Sequence, residues 1–256
     1  ADVFRALKGG EPERFPHRER SSKGGEPWHR ADKSGSVRAA VFGVSDGLVS
    51  NTALVMGFAA ASLAGAIENS VVLFAGLAGL LAGAFSMAAG EYVSMASQRD
   101  LFKREIDLER QELLEKPEEE RLELELIYRA KGLPRDQARA VADQIMKDPE
   151  IALDTLAREE LGLDPDELGS AWKAAVSSFL SFAIGASVVV IPYALFSGMT
   201  AFVLAVALAL VSLIVVGGLV GYQSGRGVVF SAGRQVLWGV GAAGVTYLVG
   251  SLVGVN

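Results

Sequence analysis

Met87, Glu91 and Met95 follow one another at four-residue steps, so in a helix two thioethers and a carboxylate share one face. Soft sulfur beside a carboxylate suits a transition-metal ion and is of no use to Mg2+. Farther on, Glu105, Glu109 and Glu112 repeat the pattern, and beyond Lys116-Pro117 comes a second E-x-x-E pair, Glu120 and Glu123. Each i,i+3 pair puts two carboxylates on one helix face. A hairpin at the proline brings the pairs together around a hard cation, with Glu159 or Glu160 to complete the shell. Two further polar residues, Asp46 and Asn51, interrupt an otherwise apolar stretch. A carboxylate within a membrane span costs on the order of 3 kcal/mol, so Asp46 should face protein or a water-filled cavity.

Each of these residues also has an ordinary explanation. A lone Met packs a core, Asp46 can cap a helix break at Ser45-Asp46-Gly47, and the cytosolic glutamates can form a solvated face paired with Lys103, Arg104, Arg110, Lys116 and Arg121. Charge excess argues against the last. From Arg99 to Glu167 there are 21 acids against 12 bases, a surplus that repels itself without cations.

The elements that must position these residues are read from charge and hydropathy. From Ala174 to Tyr222, and again from Gln235 to the end, there is no Asp, Glu, Lys or Arg. Runs of that length are transmembrane signals. The spacing predicts an all-α membrane protein with five spans: about Val37 to Ala66, the apolar half of a helix from Val71 to Lys116, Ala171 to Phe196, Met199 to Tyr222, and Arg234 to Val255. The second helix would be about 70 Å long against a hydrocarbon core of about 30 Å, so its charged half stands in water. Three shorter helices, Glu118 to Ala130, Arg135 to Lys147 and Pro149 to Leu161, follow between turn signals. They make a helical cytosolic domain over residues 99–170, with Leu122, Leu126, Ile127, Val141, Ile145, Ile151 and Leu156 as its core. Residues 36–98 hold spans one and two, and residues 171–256 spans three to five.

Residues 1–35 form a polar, disordered tail with KGGEP at Lys8 and Lys23, and no apolar signal segment precedes the first span. Pro192 should kink the third span, and the glycines of spans four and five mark close helix packing. Arg30, Lys33, Arg38, Lys173, Arg226 and Arg234 put the N-terminus and the acidic domain in the cytosol and the C-terminus outside. The formal charge of -6 excludes a nucleic-acid partner. There is no cysteine, and the only histidines are His17 and His29 in the tail, so a metal site in the body must use carboxylates, carbonyls, amides or Met sulfur.

The strings VRAAVFGVSDGLVSNTALVMG, AGLLAGAFSMAAGEYVSMASQRD and EELGLD (Glu159 to Asp164) resemble the vacuolar iron transporter family, including its nodulin-like branch. The resemblance runs from about Arg30 to the C-terminus. It implies a five-span homodimer in a lipid bilayer that exchanges Fe2+, and often Mn2+, for protons and exports metal from the cytosol. It implies no enzyme activity and no permanently bound cofactor, the metal being substrate. By motif, Asp46 and Met87 match the family's intramembrane acid and Met on a dimer-interface path, and Glu109, Glu112, Glu120, Glu123 and Glu160 its cytosolic ligands. Glu91 matches the nodulin-like motif. Leu156 stands where a Met ligand is expected, and Gly35 to Ala39 replace acids that some members carry. The membrane implied is the cell membrane in a prokaryote or the vacuolar membrane in a eukaryote. The rivals are a Mg2+/Mn2+ channel with an acidic cytosolic sensor domain, a membrane-tethered di-iron oxidase, which lacks its Glu-x-x-His pairs here, and a non-transporting membrane metal sensor.

Overall fold

The computed structural model describes residues 34–165 and 169–254; the expected tail, with its KGGEP repeats, His17 and His29, lies outside them except for its last two residues. The described residues hold helices and no strand: α1 Ser34–Leu63, α2 Asn69–Glu115, α3 Pro117–Ala130, α4 Arg135–Ile145, α5 Pro149–Glu159, α6 Ala171–Leu195, α7 Gly198–Ser224 and α8 Val228–Gly254. Five of them, α1, α2, α6, α7 and α8, are long and apolar enough to cross a membrane. In chain order α3, α4 and α5 fall between the second and third of these.

α2 runs unbroken for 47 residues, about 70 Å at 1.5 Å per residue. Nothing in its sequence stops it. No proline or turn cluster separates its apolar half from its charged half. The ring contact of Tyr92 with Trp172 of α6, centroids 4.9 Å apart, falls between the two halves. Amphipathic rings belong at such a boundary. From Asn69 to Tyr92 the helix rises about 35 Å, enough for the hydrocarbon core.

α1 is held by backbone approaches at small residues. Gly43 and Gly47 lie on one face against α6, where a Cβ on Gly47 would meet the Phe182 carbonyl, while Gly185 of α6 lies against the Val44 carbonyl. At its other end Gly57 crosses Gly250 of α8, and Thr246 donates to the Ala53 carbonyl. Gly217 and Gly221 of α7 leave room for Gln235, Ser231 and the Gly227 carbonyl. Spans four and five therefore use these glycines for packing, as expected, although Gly241 and Gly244 face open space. The main membrane core lies between α1, α2, α6 and α7, from Val55, Met56, Val72, Val189, Tyr193, Ala201 and Ala205.

Three readings of the sequence are revised. The alternative role of Asp46 as the cap of a helix break at Ser45-Asp46-Gly47 falls: α1 continues to Leu63 and stops where Gly65 takes a left-handed φ of 82°. α8 begins at Val228, not Arg234: Gly225 and Gly227, at φ of 67° and 84°, make the whole turn, and Arg234 sits inside the helix, where a long basic side chain is tolerated near an interface. The third correction concerns the small helices. Leu122, Leu126 and Ile151 are exposed, Ile127, Val141 and Ile145 are half-buried, and of the expected core only Leu156 is fully buried. The core is instead Leu113, Leu124, Ala142, Ala152 and Leu156. Alanines on α4 and α5 let the helices close, so large aliphatics are not needed there.

Candidate metal centre

Glu109 on α2, Glu120 on α3 and Glu160 at the C-terminal cap of α5 converge, and one carboxylate oxygen of each lies within 4.8 Å of the others. Their convergence follows from the core beneath. Leu113 is four residues after Glu109, Leu124 four after Glu120, and Leu156 four before Glu160, so each glutamate shares a helix face with a core leucine one turn away. Packing the three leucines stacks the three carboxylates as the next layer. The turn that closes α2 onto α3 is short: Lys116 N donates to Glu112 O at 2.7 Å and Glu120 N to Lys116 O at 3.2 Å. α5 is fixed by Asp148, whose carboxylate accepts from the amides of Glu150 and Ile151 at 3.0 and 3.4 Å, with Pro149 in the first turn.

Glu109 is 3% exposed and Glu120 5%, whereas Glu160 reaches solvent. Glu109 Oε1 has no hydrogen-bond partner. Burial, then the charges of Glu160 and Glu120, push the Glu109 carboxyl up to about 8. Burial also raises Glu120 and Glu160, with Glu123 and Glu112 adding repulsion to both. Glu112 and Glu123 are exposed at the rim and act on the cluster through charge.

The interleaved bases do not neutralise this site. Arg110 pairs with Asp107, Lys116 with Glu119, Arg121 with Glu118, Glu125 and Asp143, Lys131 with Glu159, and Arg158 with Asp154 and Asp164. None of the five cluster glutamates has an ion pair among the described residues. The choice between Glu159 and Glu160 is resolved by the same geometry: Glu159 is tied to Lys131, and Glu160 faces the acids. Two ionised carboxylates 4.8 Å apart repel by about 3.5 kcal/mol at an effective dielectric near 20. Protons or a cation must hold the three together. Oxygen-only donors with one open, solvent-facing side suit a divalent ion that arrives and leaves.

The membrane candidates are spread differently. Asp46 is exposed on α1, whereas Met87 is half-buried and packs with Leu80 against Ala84, Phe182 and Ala186. Phe182 links them, since Gly47 rests on its backbone and Gly83 of α2 makes room for its ring. Glu91 is half-buried and adjacent to Tyr92, at the level of the ring contact with Trp172. Met95 lies against Gly169, away from any acidic group of three among the described residues. Glu105 is half-buried and outside the cluster. Asn51, 2% exposed, donates to the carbonyls of Gly76 and Ala186 at 3.2 and 3.0 Å and ties α1 to α2 and α6. Sequence reasoning did not single out Phe182, whose only signal is being a large ring between two glycine-bearing helices, nor Ser45 and Gln235, which bond across α1 and α8 at 2.5 Å.

The sequence profile of the VIT family matches residues 37–251. Similar proteins include "Vacuolar iron transporter 1" of Oryza sativa subsp. japonica, 34% identical over 212 residues that make up 82% of each chain. "Vacuolar iron transporter 1" of Tulipa gesneriana is 31% identical over 85% of this chain and 87% of its own. "Vacuolar iron transporter" of Acanthamoeba castellanii is 40% identical over 58% of this chain and 52% of its own. The profile spans all five long apolar helices and the three glutamates that converge, so the chain belongs to the VIT family.

Proposed function

We propose that this protein carries divalent iron, and also Mn2+, across a bilayer out of the cytosol in exchange for protons, and that it works as a homodimer. The observation that carries the reading is the Glu109, Glu120 and Glu160 layer: two buried acids and one solvent-facing acid, without an ion-pair partner among the described residues, set over a built core. In this reading α3 to α5 and the N-terminus are cytosolic, and the C-terminus lies on the opposite side. The layer with Glu112 and Glu123 collects metal at the foot of α2, and Asp46, Met87 and Glu91 form the route beyond.

Coupling follows from competition. A carboxylate held protonated near neutral pH releases its proton when a cation takes its place, and a returning proton displaces the cation. The names of the similar proteins support iron as the cargo. Met87 supports a transition metal over Mg2+, because a thioether adds nothing for the harder ion.

Purified protein in sealed vesicles, with a metal dye inside and a pH dye outside or inside, tests the proposal. Fe2+ or Mn2+ should enter the lumen with protons moving the other way, and an imposed pH gradient should drive metal against its own gradient. Metal flux insensitive to the pH gradient would replace antiport with a channel, and no flux would leave a sensor.

A further inference from the structure

The three consecutive residues Ser45, Asp46 and Gly47 point about 100° apart around α1, and the structure gives each a different surrounding. Ser45 accepts a hydrogen bond from Nε2 of Gln235 on α8 at 2.5 Å. Gly47 is pressed on the Phe182 backbone of α6, one turn from Gly43, which meets Ser178 and Ser181 of the same helix. Asp46, between them, is exposed. The turn that bears the carboxylate is thus gripped from two sides and free on the third.

Gln235 has no obvious reason to be there for packing alone. An amide in a membrane span is retained where it bonds across helices, and this one bridges two that the chain separates by most of its length. Its Cβ also fills the notch at Gly217 of α7, so its rotamer is supported from a third helix. Held this way, the amide fixes both the height and the rotation of the Asp46 turn.

We infer that Gln235 is a positioning residue for metal transit: through Ser45 it holds the Asp46 carboxylate in the aim that the metal path requires. The inference rests on the reading of Asp46 as part of that path. It also adds a second tie between α8 and α1, beside the bond of Thr246 to the Ala53 carbonyl and the crossing of Gly57 with Gly250.

The test is initial-rate Mn2+ uptake by the full chain in vesicles, comparing wild type with Gln235→Leu, Ser45→Ala, the double variant, Ser45→Thr and Asp46→Asn. Losing one hydrogen bond to a positioned group should raise the half-saturating Mn2+ concentration about three- to tenfold in both Gln235→Leu and Ser45→Ala. The double variant should be no worse than either, because both remove the same bond. Ser45→Thr, which keeps the hydroxyl, should stay near wild type. A merely structural role would lower the maximal rate in proportion to lost folded protein and leave half-saturation alone, and that result overturns the inference. If Gln235→Leu fails to fold, Ser45→Ala carries the same expectation. An inactive Asp46→Asn beside wild-type kinetics in Gln235→Leu and Ser45→Ala overturns the inference alone. Wild-type kinetics in Asp46→Asn overturns the Asp46 reading and the inference together.

Discussion

Glu109 is a carboxyl group whose protonation depends on its neighbours more than on its own chemistry, and its folded value near 8 stands well above the ordinary 4.5. The folded state therefore holds that proton more tightly than the unfolded chain does, and its contribution to stability is complete below about pH 4.5 and lost as pH rises through about 8. Without metal, the thermal midpoint of the purified protein should fall between pH 5 and pH 8.5, and added Mn2+ should restore it most at the upper end, where it meets no competing proton. Glu109→Gln should flatten the metal-free profile. A profile of wild-type steepness in that variant would mean the proton sits elsewhere. At the other end of the path, Met87→Leu keeps the apolar volume packed against Phe182 and Ala186 and deletes the sulfur. Uptake of Fe2+ and Co2+ should fall while any Mg2+ flux is unchanged; equal loss for every ion would mark Met87 as packing.

At the scale of elements, the contacts of α1 with α6 are made by absent side chains. Gly47→Ala would drive a methyl group into the Phe182 carbonyl and should destabilise the protein by about 1–3 kcal/mol. Gly241→Ala, in open space on α8, should be neutral or gain up to about 1 kcal/mol from helix propensity. Thermal unfolding in detergent distinguishes them, and equal midpoints would contradict the packing described here. The helices themselves were legible in sequence because length, hydropathy and turn residues agree. The ends of α2 fall at Asn69 and Glu115 against an expected Val71 and Lys116. The start of α8 is not legible from charge, because Arg234 lies inside the helix and the boundary is set by Gly225 and Gly227. The face of α3 was missed for a different reason. Leu122 and Leu126 look like core by composition, but the hairpin with α2 turns Glu120, Leu124 and Tyr128 inward, and periodicity within one helix does not say where its neighbour lies. The same limit hides the bond of Ser45 with Gln235, which depends on two helices far apart in sequence, and leaves Glu159 and Glu160 equivalent in sequence, although in the fold Lys131 takes the first.

Across the whole molecule, one long helix joins two chemistries. α2 carries Met87 and Glu91 in or beside its membrane half and Glu109 in its polar half, so the converging carboxylates and the thioether are about 33 Å apart along a single rod. In the function proposed here, metal gathered at the lower end would be delivered at the foot of the route. The account stands on that lower site being a metal site and not a patch of repelling acids. The most direct test is calorimetric titration of Mn2+ into the full-length protein in detergent at pH 7.5, in wild type, in Glu109→Gln/Glu120→Gln, which keeps side-chain shape and removes charge, and in Asp136→Asn as an acid outside the cluster. Wild type and Asp136→Asn should bind with the same stoichiometry and release protons as they do, while the double variant should lose at least one site and most of the proton release. Unchanged affinity, stoichiometry and proton release in the double variant would contradict the account and leave the carboxylate layer a solvated face.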